Sequence, residues 1–304
     1  MSTRRSLCGT TITWLVGGAV CYSIALILTI HGRSLWTDEA FSAYIAGHKT
    51  LHSLISTLAG GDSSDLQVAM YYIYLHCWTL VFGSSEIALR AANLPFIIVF
   101  AITLVWAGCR IFQSRWLWIP AGLLPFLWVY ASQARAYFAL VAFSMVCFSC
   151  FLAYVQDPSE SEKRWLPWLA LGSLLLGTTF HMLMLLTVPP MLVVAALYRW
   201  NAKIDFAAWR PAALAFSLPF LLLLSYLAWT FFRGTTYDYS KPDLLSMGSV
   251  FYRLLGLSGY GPNRRYDIPF RPYLAGIGLA SLVFSIGIAA AVTVTLRAKN
   301  RLRP

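Results

Sequence analysis

Residues 137–155 read YFALVAFSMVCFSCFLAYV, an apolar run without a charged side chain. A helix needs about 20 apolar residues to cross the hydrocarbon core of a bilayer. Comparable runs recur along the chain, which has 304 residues, 59% of them hydrophobic and only 12% charged. Soluble domains carry about 25% charged residues. The sequence therefore predicts an all-α polytopic membrane protein that forms a single domain over residues 1–304.

Eight segments are predicted to cross the membrane, within a range of eight to ten. They are 11–30, 88–109, 116–131, 135–155, 165–180, 182–198, 210–232 and 273–296. A further apolar run, 68–83, is short and rich in Tyr and Trp, whose rings favour the headgroup layer. Clusters of basic residues flank the apolar segments at 4–5, 110–115, 163–164, 199–203 and 297–303. All of them fall on the cytoplasmic side if 68–83 lies in the interface instead of spanning, and this decides the count.

The positive-inside rule, by which basic residues collect on the cytoplasmic side of membrane segments, also explains the formal net charge of +11. In a soluble protein this charge would suggest nucleic acid. Here the basic residues lie beside membrane segments, where they set the orientation of the chain. The expected partner is therefore the lipid bilayer, and no nucleic-acid partner is predicted.

The stretch 34–48, SLWTDEAFSAYIAGH, follows the first predicted span and places the adjacent acids Asp38 and Glu39 close to the bilayer. Carboxylates are costly there because they lose hydration near hydrocarbon. Apolar residues at helical spacing predict a surface helix over 40–58, which would cover the outer face together with 68–83. The two acids fit a general base for a reaction at the surface, and they equally fit N-terminal residues that stabilise this helix through its dipole.

Four stretches, taken in order, resemble the GT-C membrane glycosyltransferases, in the bacterial branch related to protein O-mannosyltransferases and to the lipid A aminoarabinose transferase. They are LWTDEA at 35–40, YYIYLHCWTLVFGSSEIALR at 71–90, SQARAY at 132–137 and GTTFHM at 177–182. The resemblance covers roughly residues 11–200. The chain departs from that branch at 65–72, where it reads DLQVAMYY without the usual prolines, and it is shorter than many members.

The resemblance implies a GT-C-like fold and a transferase that takes a sugar from a polyprenyl-phosphate-linked donor. It also implies a multi-pass protein of the bacterial inner membrane with its active site on the outer face. Asp38 matches the catalytic acid of the family, and Glu39 is the weaker candidate. The sugar stays open, as does the acceptor, which could be a glycan, a lipid or a protein. No cofactor is implied with certainty, and a divalent metal ion is left open.

The turn that carries Arg135 and Tyr137 is implied to lie beside the first acid, where an arginine could hold the carrier phosphate with paired hydrogen bonds. Snorkelling at a helix end is the alternative for Arg135. Asp65 is a candidate for binding the acceptor or a metal. His181 is a candidate metal or phosphate ligand, although a lone histidine is more often structural.

Two further groups of charged residues carry expectations of their own. Glu86 and Arg90 lie four residues apart on a predicted helix, so a mutual ion pair is expected. Arg264 and Arg265 belong to the outer stretch GYGPNRRY at 259–266. Arginines on the outer face run against the positive-inside trend, and binding of a carrier phosphate or contact with lipid headgroups would explain them.

Two other functions remain open from the sequence. A transporter or flippase of a lipid-linked glycan should carry ionisable groups or broken helices near the bilayer midplane. The acids of this chain gather in the predicted outer loops instead, which favours a reaction at the surface. The second rival is a non-catalytic subunit that binds a lipid-linked sugar in an envelope assembly system.

Overall fold

The computed structural model describes residues 35, 37–61, 63–113, 125–156, 159–201 and 206–233. Every regular element in these ranges is helical, so the predicted all-α class is confirmed for them. Apart from residues 125–129, they belong to one compact unit. The predicted spans 11–30 and 273–296 lie outside the described residues, as do Arg264 and Arg265.

The α-helices in chain order are α1 Thr37–Ala46, α2 Leu51–Gly60, α3 Ser63–Leu66, α4 Ala69–Phe82, α5 Glu86–Ala91, α6 Leu94–Arg110, α7 Pro125–Ala131, α8 Tyr137–Gln156, α9 Glu160–Phe180, α10 Val188–Asn201 and α11 Arg210–Arg233. Short 3₁₀ helices cover Met182–Thr187 and Ala207–Trp209. Among the described residues, three stretches are long and apolar enough to cross a membrane: Glu86–Arg110, Tyr137–Gln156 and Ala207–Thr230. Met182–Ala196 is apolar but shorter.

Helices α6, α8 and α9 pack side by side and connect two ends of the unit. At one end, the amide nitrogen of Asn93 donates to the carbonyl oxygens of Ala131 and Gln133, at 3.1 and 2.6 Å. At the other end, Arg110 pairs with Glu162 at 2.7 Å. A helix of the length of α6 spans about 25 Å. We call the end at Asn93 the cleft end, because the cleft described below lies there. The end at Arg110 and Glu162 is called the opposite end.

The contact between α8 and α9 depends on a glycine. A Cβ atom on Gly177 would lie 2.9 Å from the side chains of both Met184 and Phe143, which is closer than side chains can approach. Met184 is fully buried and belongs to the core that forms between these helices, together with Cys147 and Leu166. Interiors pack at crystal-like density, so the missing side chain of Gly177 is what lets Met184 fill this space.

The surface helix predicted over 40–58 is wrong in one respect, because two helices occupy this stretch. Helix α1 ends at Ala46, and α2 begins after Thr50. The Thr50 hydroxyl accepts from the Ser53 backbone N–H, and the Ser53 hydroxyl accepts from the Thr50 N–H. This capping box satisfies N–H groups that lack helical partners at the start of α2, so it sets a new helix start inside the apolar pattern.

Helix α4 corresponds to the apolar run 68–83, and its contacts place it at the cleft end. The Tyr74 hydroxyl donates to the carbonyl oxygen of Ala92 at 2.6 Å, and the Tyr74 ring lies 5.9 Å from that of Phe180. A ring nitrogen of His76 is 2.9 Å from the carbonyl oxygen of Ala46, which ties α4 to α1. Helices α1 and α4 therefore meet where α6 begins and α9 ends.

Candidate functional site

Asp38 and Arg135 lie beside each other at the cleft end. Asp38 is in the first turn of α1, and Arg135 is in the turn between α7 and α8. An Arg135 guanidinium nitrogen is 3.8 Å from the Asp38 carboxylate, and another donates to the Asp38 backbone oxygen at 3.2 Å. The exposed fraction of the side chain is 48% for Asp38 and 22% for Arg135. The structure thus brings this turn next to the first acid, as the resemblance implied.

Glu39, the other acid of the pair, is buried in an ion pair with Arg90. The guanidinium donates to both carboxylate oxygens, at 3.1 and 3.0 Å, and the Ala134 N–H donates to one of them at 2.9 Å. The expected pair between Glu86 and Arg90 is wrong, since Arg90 reaches Glu39 and the Glu86 side chain is exposed. A helical surface pair contributes about 0.3–0.5 kcal/mol. A buried carboxylate left unpaired is far more costly.

A cleft opens next to Asp38 and is formed by segments that are distant in the sequence. Its empty volume is about 220 Å³, part of which is open to solvent. The lining residues come from α1, from α4 and the residue before it, from the turn that leads into α8, and from the residue after α9. They are Ser42, Val68, Tyr71, Tyr72, Arg135, Ala136, Tyr137 and His181. Three predicted site residues, Arg135, Tyr137 and His181, therefore share one surface.

Arg135 is held in place at the cleft by an aromatic ring as well as by Asp38. Its guanidinium carbon lies 5.6 Å from the centre of the Tyr137 ring. That ring in turn lies 5.5 Å from the ring of His181. A cation above an aromatic face is stabilised by the electrons of the ring. The row of three side chains fixes the orientation of the guanidinium.

His181 ends α9 and is neutral in this structure. Its Nδ1 accepts from the Leu183 backbone N–H at 3.2 Å, so the ring proton is on Nε2. Burial and, to a smaller extent, the nearby positive charge of Arg135 together lower the pKa of His181 to about 4. The sequence predicted His181 as a candidate metal or phosphate ligand. The described residues contain no group of three or more His, Cys, Asp or Glu side chains that could hold a metal ion.

Asp65 is linked to the cleft by a tyrosine. The Tyr72 hydroxyl donates to an Asp65 carboxylate oxygen at 3.1 Å. Burial raises the pKa of Tyr72 well above its ordinary value, and the negative charge of Asp65 raises it further. Tyr72 therefore keeps its proton and donates a hydrogen bond to Asp65. The structure supports Asp65 as a residue that orients Tyr72 in the cleft wall.

Tyr71 is one of the cleft residues that sequence reasoning missed. Its side chain is 1% exposed, and its hydroxyl has no hydrogen-bond partner among the described residues. A buried polar group without a partner costs about 1–3 kcal/mol of stability. Burial also raises the pKa of Tyr71, so the hydroxyl is protonated. The aromatic run 71–90 contained this residue, but Tyr71 and its neighbour Tyr72 look alike in the sequence, and only the packing separates their roles.

The chain matches no protein-family model, no curated protein and no solved structure. The candidate site therefore rests on its own geometry: a guanidinium, three tyrosines and a neutral histidine line one cleft, and a half-exposed carboxylate lies beside it.

Proposed function

We propose that the chain is a glycosyltransferase that moves a sugar from a polyprenyl-phosphate-linked donor to an acceptor, with Asp38 as the general base. The observation that carries the proposal is the difference in burial and partners between the two adjacent acids. Glu39 is consumed by a buried ion pair, whereas Asp38 presents a half-exposed carboxylate beside a cationic cleft. A base needs access to the acceptor, and only Asp38 has it.

The proposed chemistry gives a role to Asp38, to Arg135 and to Glu39. The Asp38 carboxylate takes the proton of an acceptor hydroxyl or amine, whose electron pair attacks the anomeric carbon of the donor sugar. The bond between that carbon and the phosphate oxygen breaks, and the electron pair leaves with the phosphate. Arg135, close by, offsets the negative charge of the leaving group. Glu39 acts as a positioning residue, because its ion pair and its bond to the Ala134 N–H hold both segments of the site.

The membrane arrangement that goes with this chemistry has eight crossings, with the cleft end on the outer face of a bacterial inner membrane. The opposite end carries Arg110, which belongs to the basic cluster 110–115 of the sequence, and such clusters favour the cytoplasm by the positive-inside rule. A lipid-linked donor would present its phosphate at the headgroup layer, where Asp38 and Arg135 lie in this arrangement.

A transporter is the less supported reading of the same part of the chain. Its substrate path should carry ionisable groups near mid-membrane. Helix α8 has no charged residue over its whole length, and the ion pairs of the described residues lie at the two ends of the unit. That arrangement supports chemistry at one surface.

The test is sugar transfer by purified full-length protein in nanodiscs, followed as release of free polyprenyl phosphate. Asp38→Asn keeps the size of the side chain and an oxygen that can accept a hydrogen bond at the start of α1, but it cannot take up the proton. Its turnover should fall by about 10²–10⁴-fold with little change in thermal stability. Glu160→Gln, at an exposed acid of the opposite end, is the matched control and should transfer normally. Near-normal transfer by Asp38→Asn would falsify the catalytic role, and donor binding without transfer by the native protein would indicate a non-catalytic subunit.

A further inference from the structure

The cleft contains hydrogen-bond donors that no acceptor of the described residues uses, and this bears on what it binds. The Ser42 hydroxyl donates a hydrogen bond to the Asp38 backbone oxygen at 3.0 Å, and the Tyr72 hydroxyl donates one to Asp65. The Tyr71 hydroxyl, by contrast, is fully buried and has no partner in the described part of the chain. A buried hydroxyl that lines a cleft and has nothing to bind is suited to an acceptor atom of a ligand.

His181 adds a second donor, the Nε2–H of its ring. Because Nδ1 accepts from the Leu183 N–H, the proton of the neutral ring must sit on Nε2. The imidazole is thus fixed as a donor by a backbone contact. Its position on the cleft wall places it in the same lining as Tyr71.

Arg135 supplies the charge. The distance of 3.8 Å to the Asp38 carboxylate is too long for a hydrogen bond, so this contact leaves the guanidinium N–H group available. The other two donors are neutral, and the described residues that line the cleft include no carboxylate. A site built from donors and one positive charge suits an oxyanion, and it suits a metal cation poorly.

We propose that Tyr71, Arg135 and His181 form the donor set for the oxyanion of a phosphate group, with Tyr71 and the Nε2–H of His181 as its two neutral donors. The inference rests on the proposed function, which it extends by naming the groups that hold the carrier phosphate. It assigns His181 to the phosphate and away from a metal. It also gives the buried Tyr71 hydroxyl a ligand-binding role.

The experiment measures binding of farnesyl phosphate to the full-length protein in nanodiscs, with farnesol as the uncharged comparison. Tyr71→Phe removes only the hydroxyl and should weaken farnesyl phosphate binding about 10-fold or more, because a hydrogen bond to a charged group is lost. Farnesol binding and the melting temperature should not fall. The matched control is Tyr74→Phe on the same helix, whose hydroxyl donates to the Ala92 carbonyl outside the cleft lining. It should lower the melting temperature and leave the affinity for farnesyl phosphate unchanged.

A second variant tests the histidine independently. His181→Asp retains an acceptor for the Leu183 N–H but replaces the donor with a negative charge, so it should lose farnesyl phosphate binding by a larger factor than Tyr71→Phe. His181→Asn retains the acceptor without the charge and should lie between the native protein and His181→Asp. If His181 held a metal instead, binding by the native protein would fall on treatment with a chelator, and that result would overturn the assignment.

These outcomes are separable from failure of the proposed function. Unchanged farnesyl phosphate affinity in Tyr71→Phe overturns the donor set even if the native protein transfers sugar. Equal affinity of the native protein for farnesyl phosphate and farnesol shows recognition of the prenyl chain alone, and it also overturns the donor set. Loss of transfer in Asp38→Asn, with farnesyl phosphate binding retained, supports the function and leaves the phosphate site intact.

Discussion

Glu39 and Arg90 lie 51 residues apart in the sequence and form a two-point ion pair whose side chains are 3% and 4% exposed. The pair joins the first turn of α1 to the end of α5, just before the long apolar helix α6. The same carboxylate accepts the N–H of Ala134, the residue that precedes Arg135. The buried carboxylate of Glu39 therefore joins both segments of the site. Asp38 is next to Glu39 in the chain, and Arg135 is next to Ala134.

Breaking this pair from one side should be costly. Arg90→Ala leaves the Glu39 carboxylate buried without its cation, and such losses destabilise by about 3–5 kcal/mol. Thermal unfolding followed by intrinsic fluorescence in detergent measures the change. Glu86→Ala, at an exposed acid of the same helix, should change stability by less than about 0.5 kcal/mol. A stable Arg90→Ala variant would show that Glu39 finds another partner.

Joint replacement of the pair separates stability from site geometry. Glu39→Gln combined with Arg90→Met removes both charges together, so it should recover most of the stability lost in Arg90→Ala. Sugar transfer should stay low, because the segments that carry Asp38 and Arg135 lose a shared anchor. The measurements are the melting temperature and the turnover rate of the same preparation. Recovery of both in parallel would reduce the pair to a purely structural role.

Arg135 should matter for the phosphate and little for the rest of the ligand. Arg135→Ala should weaken polyprenyl phosphate binding about 10- to 150-fold, the equivalent of a hydrogen bond to a charged group worth about 1.5–3 kcal/mol. Arg164→Ala is the control, since Arg164 is an exposed arginine on α9 close to the opposite end. Titration in nanodiscs measures both. Similar affinities for the two variants would argue against a phosphate beside Arg135.

The ion pair of the opposite end predicts a dependence of stability on acid. The hydrogen bonds from Arg110 lower the pKa of Glu162 to about 2, against an ordinary value of 4.5, while partial burial opposes the shift. The pKa is lower in the folded state, so the stabilisation is present above about pH 4.5 and is lost as the pH falls towards 2. Its size is about 1–3 kcal/mol after solvent screening. Glu162→Gln should flatten the melting temperature between pH 5 and 2.5 relative to the native protein, roughly the window of that titration.

The proposed orientation can be tested with single cysteines in a background that lacks the six native ones. Glu86 and Phe112 are both exposed and lie at the cleft end and beyond α6, respectively. Glu86→Cys should react with a membrane-impermeant maleimide added to intact cells, and Phe112→Cys should react only after permeabilisation. Labelling of Phe112→Cys from outside would show that the orientation is the reverse of the proposed one or that 68–83 spans the membrane.

The elements could be predicted from the sequence because their signals are local. Apolar length predicted the helices that became α6, α8 and α11, since a segment in lipid must satisfy its own backbone hydrogen bonds. The break between α1 and α2 was missed, although Thr50 and Ser53 could have indicated it. The apolar spacing continues across 47–50, and periodicity alone does not reveal a capping box.

The sequence by itself determined that Asp38 and Glu39 stand together at the start of a helix, and that the described part of the chain is all-α with helices long and apolar enough to cross a membrane. Only the tertiary structure decided which acid is buried with Arg90 and which is half-exposed beside Arg135, because successive residues of a helix point about 100° apart and their partners come from distant segments. The same holds for Tyr71 and Tyr72. They are adjacent and chemically identical, but one finds a carboxylate partner in the neighbouring helix α3, and the other is left without any partner among the described residues.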